Sequence, residues 1–128
     1  MNLLLDTCTF LWVLNGAPDL SPRAASLVRD PGNAVLFSAA SAWEIAIKYS
    51  LGHLRLPERP ERYVPEEREA RGIAALGIDE ESALHVVRLP ALHRDPFDRM
   101  IVAQAIVHGL SILTPDPLIT QYPIRTIW

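Results

Sequence analysis

Short apolar runs, each closed by a polar residue and separated from the next by helix signals, constrain this chain more than any other feature. Leu3, Leu4 and Leu5 form the first, in an expected strand over residues 2–6 that Asp6 ends. Val35, Leu36 and Phe37 form the second, residues 73–76 a weaker third, Ser111–Leu113 a fourth and residues 124–128 a last one. Unbroken apolar runs of this length suit strands buried on both faces of a parallel sheet. Between them, Phe10, Leu11, Trp12 and Leu14 predict a helix over 10–15 that stops at Gly16 and Pro18. Ser21-Pro22 opens a second helix running to Asp30, and Pro31-Gly32-Asn33 makes a turn. Ser41-Ala42-Trp43-Glu44 has capping-box spacing and predicts a third helix to about Leu51. Asp79-Glu80-Glu81-Ser82 begins a helix carrying Ala83, Leu84, Val86 and Val87, and Thr114-Pro115-Asp116-Pro117 caps a short one. Strands alternating with helices predict an α/β sandwich with a mainly parallel sheet.

The remaining composition fits one domain over residues 1–128. A chain of this length with 49% hydrophobic residues holds a real core without staples. Residues 55–71 shift to mixed charge and proline, which predicts a loop to Tyr63 and then a mostly exposed helix rather than a boundary. A net charge of -3 argues against a surface that grips nucleic acid everywhere. Cys8 is the only cysteine, which excludes an intrachain disulfide and a thiolate zinc site and suits a reducing cytoplasm. The four histidines show no ligand spacing. No apolar run approaches membrane-spanning length, and the opening run meets Asp6 too early for a signal peptide.

His93-Arg94-Asp95-Pro96-Phe97-Asp98-Arg99 is the richest helix start. Asp95 suits the N-cap, Pro96 the first helical position and Asp98 the third. Phe97, Ile101, Ala105 and His108 mark an apolar stripe, widened by Met100, Val102, Ile106 and Val107, so this helix is expected to be buried on most sides. Asp95 and Asp98 share one side of the first turn, where the helix dipole favours negative charge. Capping explains both, Asp95 and Arg99 have ion-pair spacing, and Glu44 is accounted for as the acid of its capping box.

Convergence changes that balance. Open α/β sheets bind ligands beyond the carboxyl ends of their strands, where strand order reverses. Asp6 ends the first strand, Asp116 follows the fourth, Glu44 lies early in the helix after the second, and Asp95 and Asp98 head the helix before the fourth. The connections bring most of these acids to one edge. Two carboxylates at about 4 Å repel by roughly 4 kcal/mol at an effective dielectric near 20, so a cluster needs a cation or a proton. Oxygen ligands alone point to magnesium or manganese, held by one or two carboxylates with waters retained. Such ions suit in-line displacement at a phosphodiester. From the residues themselves the reading stops at metal-assisted phosphoryl transfer.

Four blocks carry a resemblance. Leu3-Leu4-Leu5-Asp6-Thr7, Ser41-Ala42-Trp43-Glu44-Ile45, the His93-Arg94-Asp95-Pro96-Phe97-Asp98-Arg99 run continued to Ala105, and Leu113-Thr114-Pro115-Asp116 with the ending Ile124-Arg125-Thr126-Ile127-Trp128 span nearly the whole chain in order. Together they resemble the PIN-domain ribonucleases of the VapC toxin kind. The resemblance implies a PIN-like three-layer α/β/α sandwich with a mainly parallel sheet of four or five strands, and a magnesium-dependent endoribonuclease, the toxin of a toxin-antitoxin pair. Its partners would be RNA, a cognate antitoxin and a second copy in a homodimer, in the cytoplasm and away from membranes. Asp6 and Asp98 would be the principal ligands of Mg2+, with Mn2+ a possible substitute. Glu44 and Asp116 would complete an acidic pocket by orienting water or holding a second ion, Asp95 would be a nearby acid, and Thr7 and Thr114 would hydrogen-bond the carboxylates.

Other residues carry lesser expectations. Cys8 replaces a histidine found in many relatives and reads as a small buried hydrophobe. Arg94, Arg99 and Lys48, with Arg55, are candidate contacts to RNA phosphates, although a salt bridge to Asp95 serves Arg99 as well. Trp43 offers a ring for a base, but beside Ile45 and Ile47 it also fits a core. His93 is a candidate proton donor or a loop histidine bonded locally. Phe10, Trp12 and the third helix read as an antitoxin groove or as core. A phosphate-accepting receiver domain fails because Thr7-Cys8 follows Asp6 and Lys48 is the only lysine, and a haloacid-dehalogenase-like phosphatase fails because Cys8 stands two after Asp6. A non-catalytic RNA- or partner-binding PIN-like module remains the alternative.

Overall fold

The computed structural model describes residues 1–128, and its centre is the Leu3-Leu4-Leu5 run. Five strands form: β1 (Asn2–Leu5), β2 (Ala34–Ser38), β3 (Ala74–Leu76), β4 (Ser111–Leu113) and β5 (Thr126–Ile127). They make one sheet in the order β3-β2-β1-β4-β5, every pair parallel. Seven helices connect them: α1 (Thr7–Asn15), α2 (Pro22–Arg29), α3 (Ala39–Ser50), α4 (Pro60–Ala70), α5 (Glu80–His85), α6 (Pro96–His108) and α7 (Pro117–Thr120). A single 3-10 turn, Val86–Arg88, follows α5. No helix is long and apolar enough to cross a membrane.

Neighbouring residues of a strand face opposite sides, so the β1 run feeds two cores. Leu3 and Leu5 pack with Phe10, Val35, Phe37, Ile45, Val64 and Leu113 beneath α1, α2 and α4. Leu4 packs with Ile101, Val102, Ala105, Ile112 and Ile119 beneath α6 and α7. Helix α3 serves both layers, giving Ile45 to the first and Ala40 to the second. Residues 101–105 of α6 are all buried, Gln104 among them. Its amide is matched on both sides: Ser38 Oγ donates to Oε1 at 2.6 Å, and Nε2 donates to the Gly77 carbonyl at 3.0 Å.

Several helix boundaries differ from the sequence-based expectation. Helix α1 begins at Thr7 rather than residue 10, because Asp6 accepts from the Thr9 N–H and caps it. Helix α4 begins at Pro60, so Tyr63 closes no loop; it and Val64 are the buried residues of that helix. Leu84 and Val87, expected on an apolar face, are exposed, and Ser82 is buried in their place, donating to Asp79 at 2.7 Å. His108 leaves the α6 stripe to meet Asp79 at 2.8 Å, and these partners hold the Asp79 carboxyl well below its ordinary value.

The capping box does not form. Helix α3 starts three residues earlier than expected, with Ser38 accepting from the Ala40 N–H, so Ser41 and Glu44 both lie inside it. Ser41 Oγ is buried and has no hydrogen-bond partner. A capping serine changed to alanine loses about 1 kcal/mol. Ser41→Ala instead relieves an unsatisfied buried hydroxyl and is expected to be neutral or stabilising by about 0.5–1 kcal/mol in urea denaturation. A loss of about 1 kcal/mol would restore the capping role.

Candidate active site

Sheet order creates the site. From β1 the chain steps outward through β2 to β3 and then returns to lay β4 on the other side of β1, so strand order reverses between β1 and β4. Leu5 lies opposite Leu113, which sets Asp6 and Thr114 side by side. Thr114 Oγ1 donates to Asp6 Oδ2 at 2.5 Å and accepts from the Asp116 N–H at 3.0 Å. Asp6 Oδ1 accepts from the Thr9 N–H at 2.8 Å. With only 4% of its surface exposed, Asp6 has its carboxyl raised by burial, opposed by the Thr114 and Thr9 hydrogen bonds and supported by Asp116.

Helix direction brings the other acids. A helix packed against a parallel sheet runs opposite to the strands, so α3, α6 and α7 all begin near the edge where β1 ends. Glu44, in the second turn of α3, is buried and clamped: Thr7 Oγ1 donates to Oε1 and Lys48 Nζ to Oε2, both at 2.6 Å. That carboxylate in turn raises the Lys48 ammonium. Asp95 caps α6 through Oδ1, which accepts from the Phe97 and Asp98 N–H groups. Asp116 caps α7, its Oδ1 accepting from the Leu118 N–H at 2.9 Å. Asp98 Oδ2 faces His93 Nε2 at 3.1 Å, while its Oδ1 has no partner. Burial raises the Asp98 carboxyl to about 6; His93 opposes this, and Asp95 and Glu44 add to it.

These carboxylates form a row of two electrostatic groups, Asp116 acting on Asp6, and Glu44 and Asp95 on Asp98; the Cys8 thiol feels members of both. Cys8 sits against the row and is exposed, contrary to its expected burial, because α1 starts early enough to turn it out of the core. Burial of part of the side chain, then Asp6 and Glu44, raise its thiol, which disfavours the thiolate.

The row is an open rim rather than a pocket: none of the four surface concavities is lined by Asp6, Glu44, Asp98 or Asp116. No three acidic, histidine or cysteine side chains form a group that would hold an ion by themselves. Magnesium does not need such a cage, since it is usually held by one or two carboxylates and keeps several waters. The unpartnered oxygens Asp98 Oδ1 and Asp116 Oδ2, with the burial and neighbouring acids that raise Asp98, fit a hard divalent cation on those terms.

The residues around the rim divide by what they touch. Arg94 is exposed. Arg99 makes no ion pair with Asp95, whose carboxylate is turned into the helix end. Its guanidinium donates instead to Pro90 O and Tyr122 Oη at 2.9 Å, Val86 O at 3.3 Å and His93 O at 3.4 Å. Trp43 is 60% exposed, outside the core, with its ring edge-on to Phe97 at 5.3 Å. Phe10 stacks on Phe37 at 3.8 Å and Trp12 meets Trp128 edge-on, so neither opens a groove. An apolar groove of about 760 Å³ lies instead between α1, α2 and α4, with Val13, Leu20 and Val28 on its walls and Arg29 and Arg71 beside them. Tyr122 was not found from the sequence; it follows a short helix and belongs to no acidic block.

Fold and site together define an α/β domain with carboxylates near the N-termini of four helices along one sheet edge. The PIN domain family model matches residues 3–124, and the chain belongs to the PIN-domain family. It is 38% identical over 87 residues to Ribonuclease VapC16 of Mycobacterium tuberculosis (strain ATCC 25618 / H37Rv), an alignment spanning 62% of each chain. Its fold matches VapBC2 from Rickettsia felis, solved bound to a promoter DNA fragment, with TM-score 0.74, 15% identity and coverage of 99% of this chain and 98% of that one. VapBC-1 from nontypeable Haemophilus influenzae matches with TM-score 0.68, 18% identity and coverage of 99% and 97%. At these identities the solved structures establish the common fold.

Proposed function

We propose that this protein is a magnesium-dependent endoribonuclease and the toxin of a toxin-antitoxin pair. One observation carries the reading: Asp98 is a partly buried carboxyl, raised to about 6 by that burial and further by Asp95 and Glu44, yet its Oδ1 has no partner and Lys48 is committed to Glu44. A phosphodiester adds negative charge, so it approaches such a rim only with a cation between them. Asp98 through its unpartnered Oδ1, and Asp6 through a lone pair beyond the two hydrogen bonds that its oxygens accept, would hold Mg2+, or Mn2+ in its place, with Asp116 and Glu44 completing the site. When bound, the ion neutralises phosphate charge and makes water a better nucleophile. Asp116 Oδ2 would accept a hydrogen bond and then a proton from the attacking water, whose oxygen joins phosphorus as the opposite P–O ester bond breaks, and the departing oxygen leaves as an alcohol with a proton from solvent. Thr7 and Lys48 keep Glu44 from turning away. Arg94 is free for a backbone phosphate, and the exposed Trp43 ring offers a stacking face to an unpaired base.

The ribonuclease reading draws support from VapC16, and the antitoxin partner from the VapBC complexes that share the fold. The groove between α1, α2 and α4 suits the apolar face of an antitoxin helix, with Arg29 and Arg71 placed for acidic flanks. Exposed Leu84 and Val87 suit a homodimer contact. An end-labelled single-stranded RNA tests the activity. Cleavage is expected with Mg2+ or Mn2+ and falls to background with EDTA or in Asp98→Asn. Cleavage persisting under both conditions overturns the metal-dependent mechanism, and RNA bound but uncut in Mg2+ identifies a non-catalytic module.

A further inference from the structure

We propose that Tyr122 and His93 are positioning residues that hold one oxygen of Asp98 and leave the other free for the cation; this rests on the metal reading above. The argument is one of donors and acceptors. Arg99 has only N–H groups to offer, so Tyr122 Oη accepts from it at 2.9 Å. The Tyr122 proton is then available for His93 Nδ1, 2.7 Å away. With Nδ1 accepting, the ring proton lies on Nε2, which donates to Asp98 Oδ2 at 3.1 Å. A single direction of donation therefore runs from Arg99 through Tyr122 and His93 to Asp98.

Its two ends are consecutive residues of α6, while the links between come from the loop before that helix and the segment after α7. The anchor is rigid, because Arg99 is also tied to the carbonyls of Val86, Pro90 and His93. The links are shielded: Tyr122 is 3% exposed and the His93 side chain 9%. Water competes poorly for such bonds, so the imidazole keeps one orientation and one tautomer. Asp98 Oδ2 is held, and Oδ1, which accepts nothing, stays available. Both His93 nitrogens are committed, which removes His93 as a proton donor to a leaving oxygen. Partners of this kind behind a metal-binding carboxylate are worth 10–100-fold in metal affinity.

Three readouts test this on the full chain with Tyr122→Phe, His93→Ala and His93→Gln. Long-range proton–nitrogen spectra of metal-free protein at pH 8 are expected to show the Nε2–H tautomer for His93, and a mixture in Tyr122→Phe. Calorimetric Mn2+ titration is expected to show affinity lowered roughly 10-fold or more in Tyr122→Phe and His93→Ala. His93→Gln, whose amide still donates to Asp98, recovers most of it. Urea midpoints without metal separate this from simple destabilisation, and Tyr122→Phe keeps the test open if His93→Ala does not fold. An Nδ1–H tautomer in the wild type, or wild-type Mn2+ affinity in both Tyr122→Phe and His93→Ala, overturns the positioning role alone. A wild type with no Mn2+ uptake overturns the metal reading and this proposal with it.

Discussion

Asp98→Asn is expected to stabilise the metal-free protein while abolishing the RNA cleavage proposed above. The folded carboxyl titrates near 6 against an ordinary value of 3.8, so folding favours the neutral form. Between those values the native state binds more protons than the unfolded chain, and stability falls as pH rises. The penalty is absent below about 4 and complete above about 6. Each tenfold change in proton affinity is worth about 1.4 kcal/mol, giving an upper bound near 3 kcal/mol that screening at this partly exposed group reduces to about 1–2 kcal/mol. Asparagine still accepts from His93 but carries no charge to bury. Urea denaturation in EDTA should therefore place the variant about 1 kcal/mol above the wild type at pH 8 and level with it near pH 4. A variant less stable than the wild type at pH 8 would show that Asp98 serves the fold rather than an activity that strains it.

Thr114→Val is expected to inactivate by the opposite route. The hydroxyl is buried, donates to Asp6 and accepts from the Asp116 N–H, so it ties together two acids that are distant in sequence. Valine keeps the shape and leaves the Asp6 carboxylate with the Thr9 N–H alone. A hydrogen bond to a buried charged group is worth about 1.5–3 kcal/mol, and a loss of that size is expected at pH 8. The sign with pH follows from Asp6, already raised by burial. Without Thr114 it rises further, so the deficit is largest where Asp6 is ionised and shrinks toward acid. Urea curves at pH 8 and pH 5 check this; equal deficits at both would separate Thr114 from the Asp6 charge. On the proposed metal site, Mn2+ is expected to relieve part of the deficit at pH 8 by supplying the compensation that the hydroxyl gave.

Local pattern carried much of this molecule. The Leu3-Leu4-Leu5 run predicts a two-sided strand, and β1 sits in mid-sheet with both faces covered. Asp95-Pro96-Phe97-Asp98 predicts a capped helix start, and α6 begins at Pro96. Both depend on neighbours within one turn or one strand, where propensity and capping decide. Ser38 and Ser41 show where that reach ends. Either can cap α3 by local rules, and Ser38 is selected because its hydroxyl also meets Gln104, 66 residues away. Arg99 likewise turns from its helix neighbour Asp95 to carbonyls of the preceding loop.

By itself the sequence determined the order of strands and helices, the capped start of α6 at Asp95 and Pro96, and that its acids stand near element ends; these are matters of spacing and side-chain chemistry. Tertiary structure alone decided that β4 returns beside β1, which puts Thr114 against Asp6 across 108 residues. It also decided that Cys8 faces outward and that Tyr122 backs His93. Strand order depends on the summed burial of both cores, and hydrogen bonds between distant residues exist only once that packing is complete.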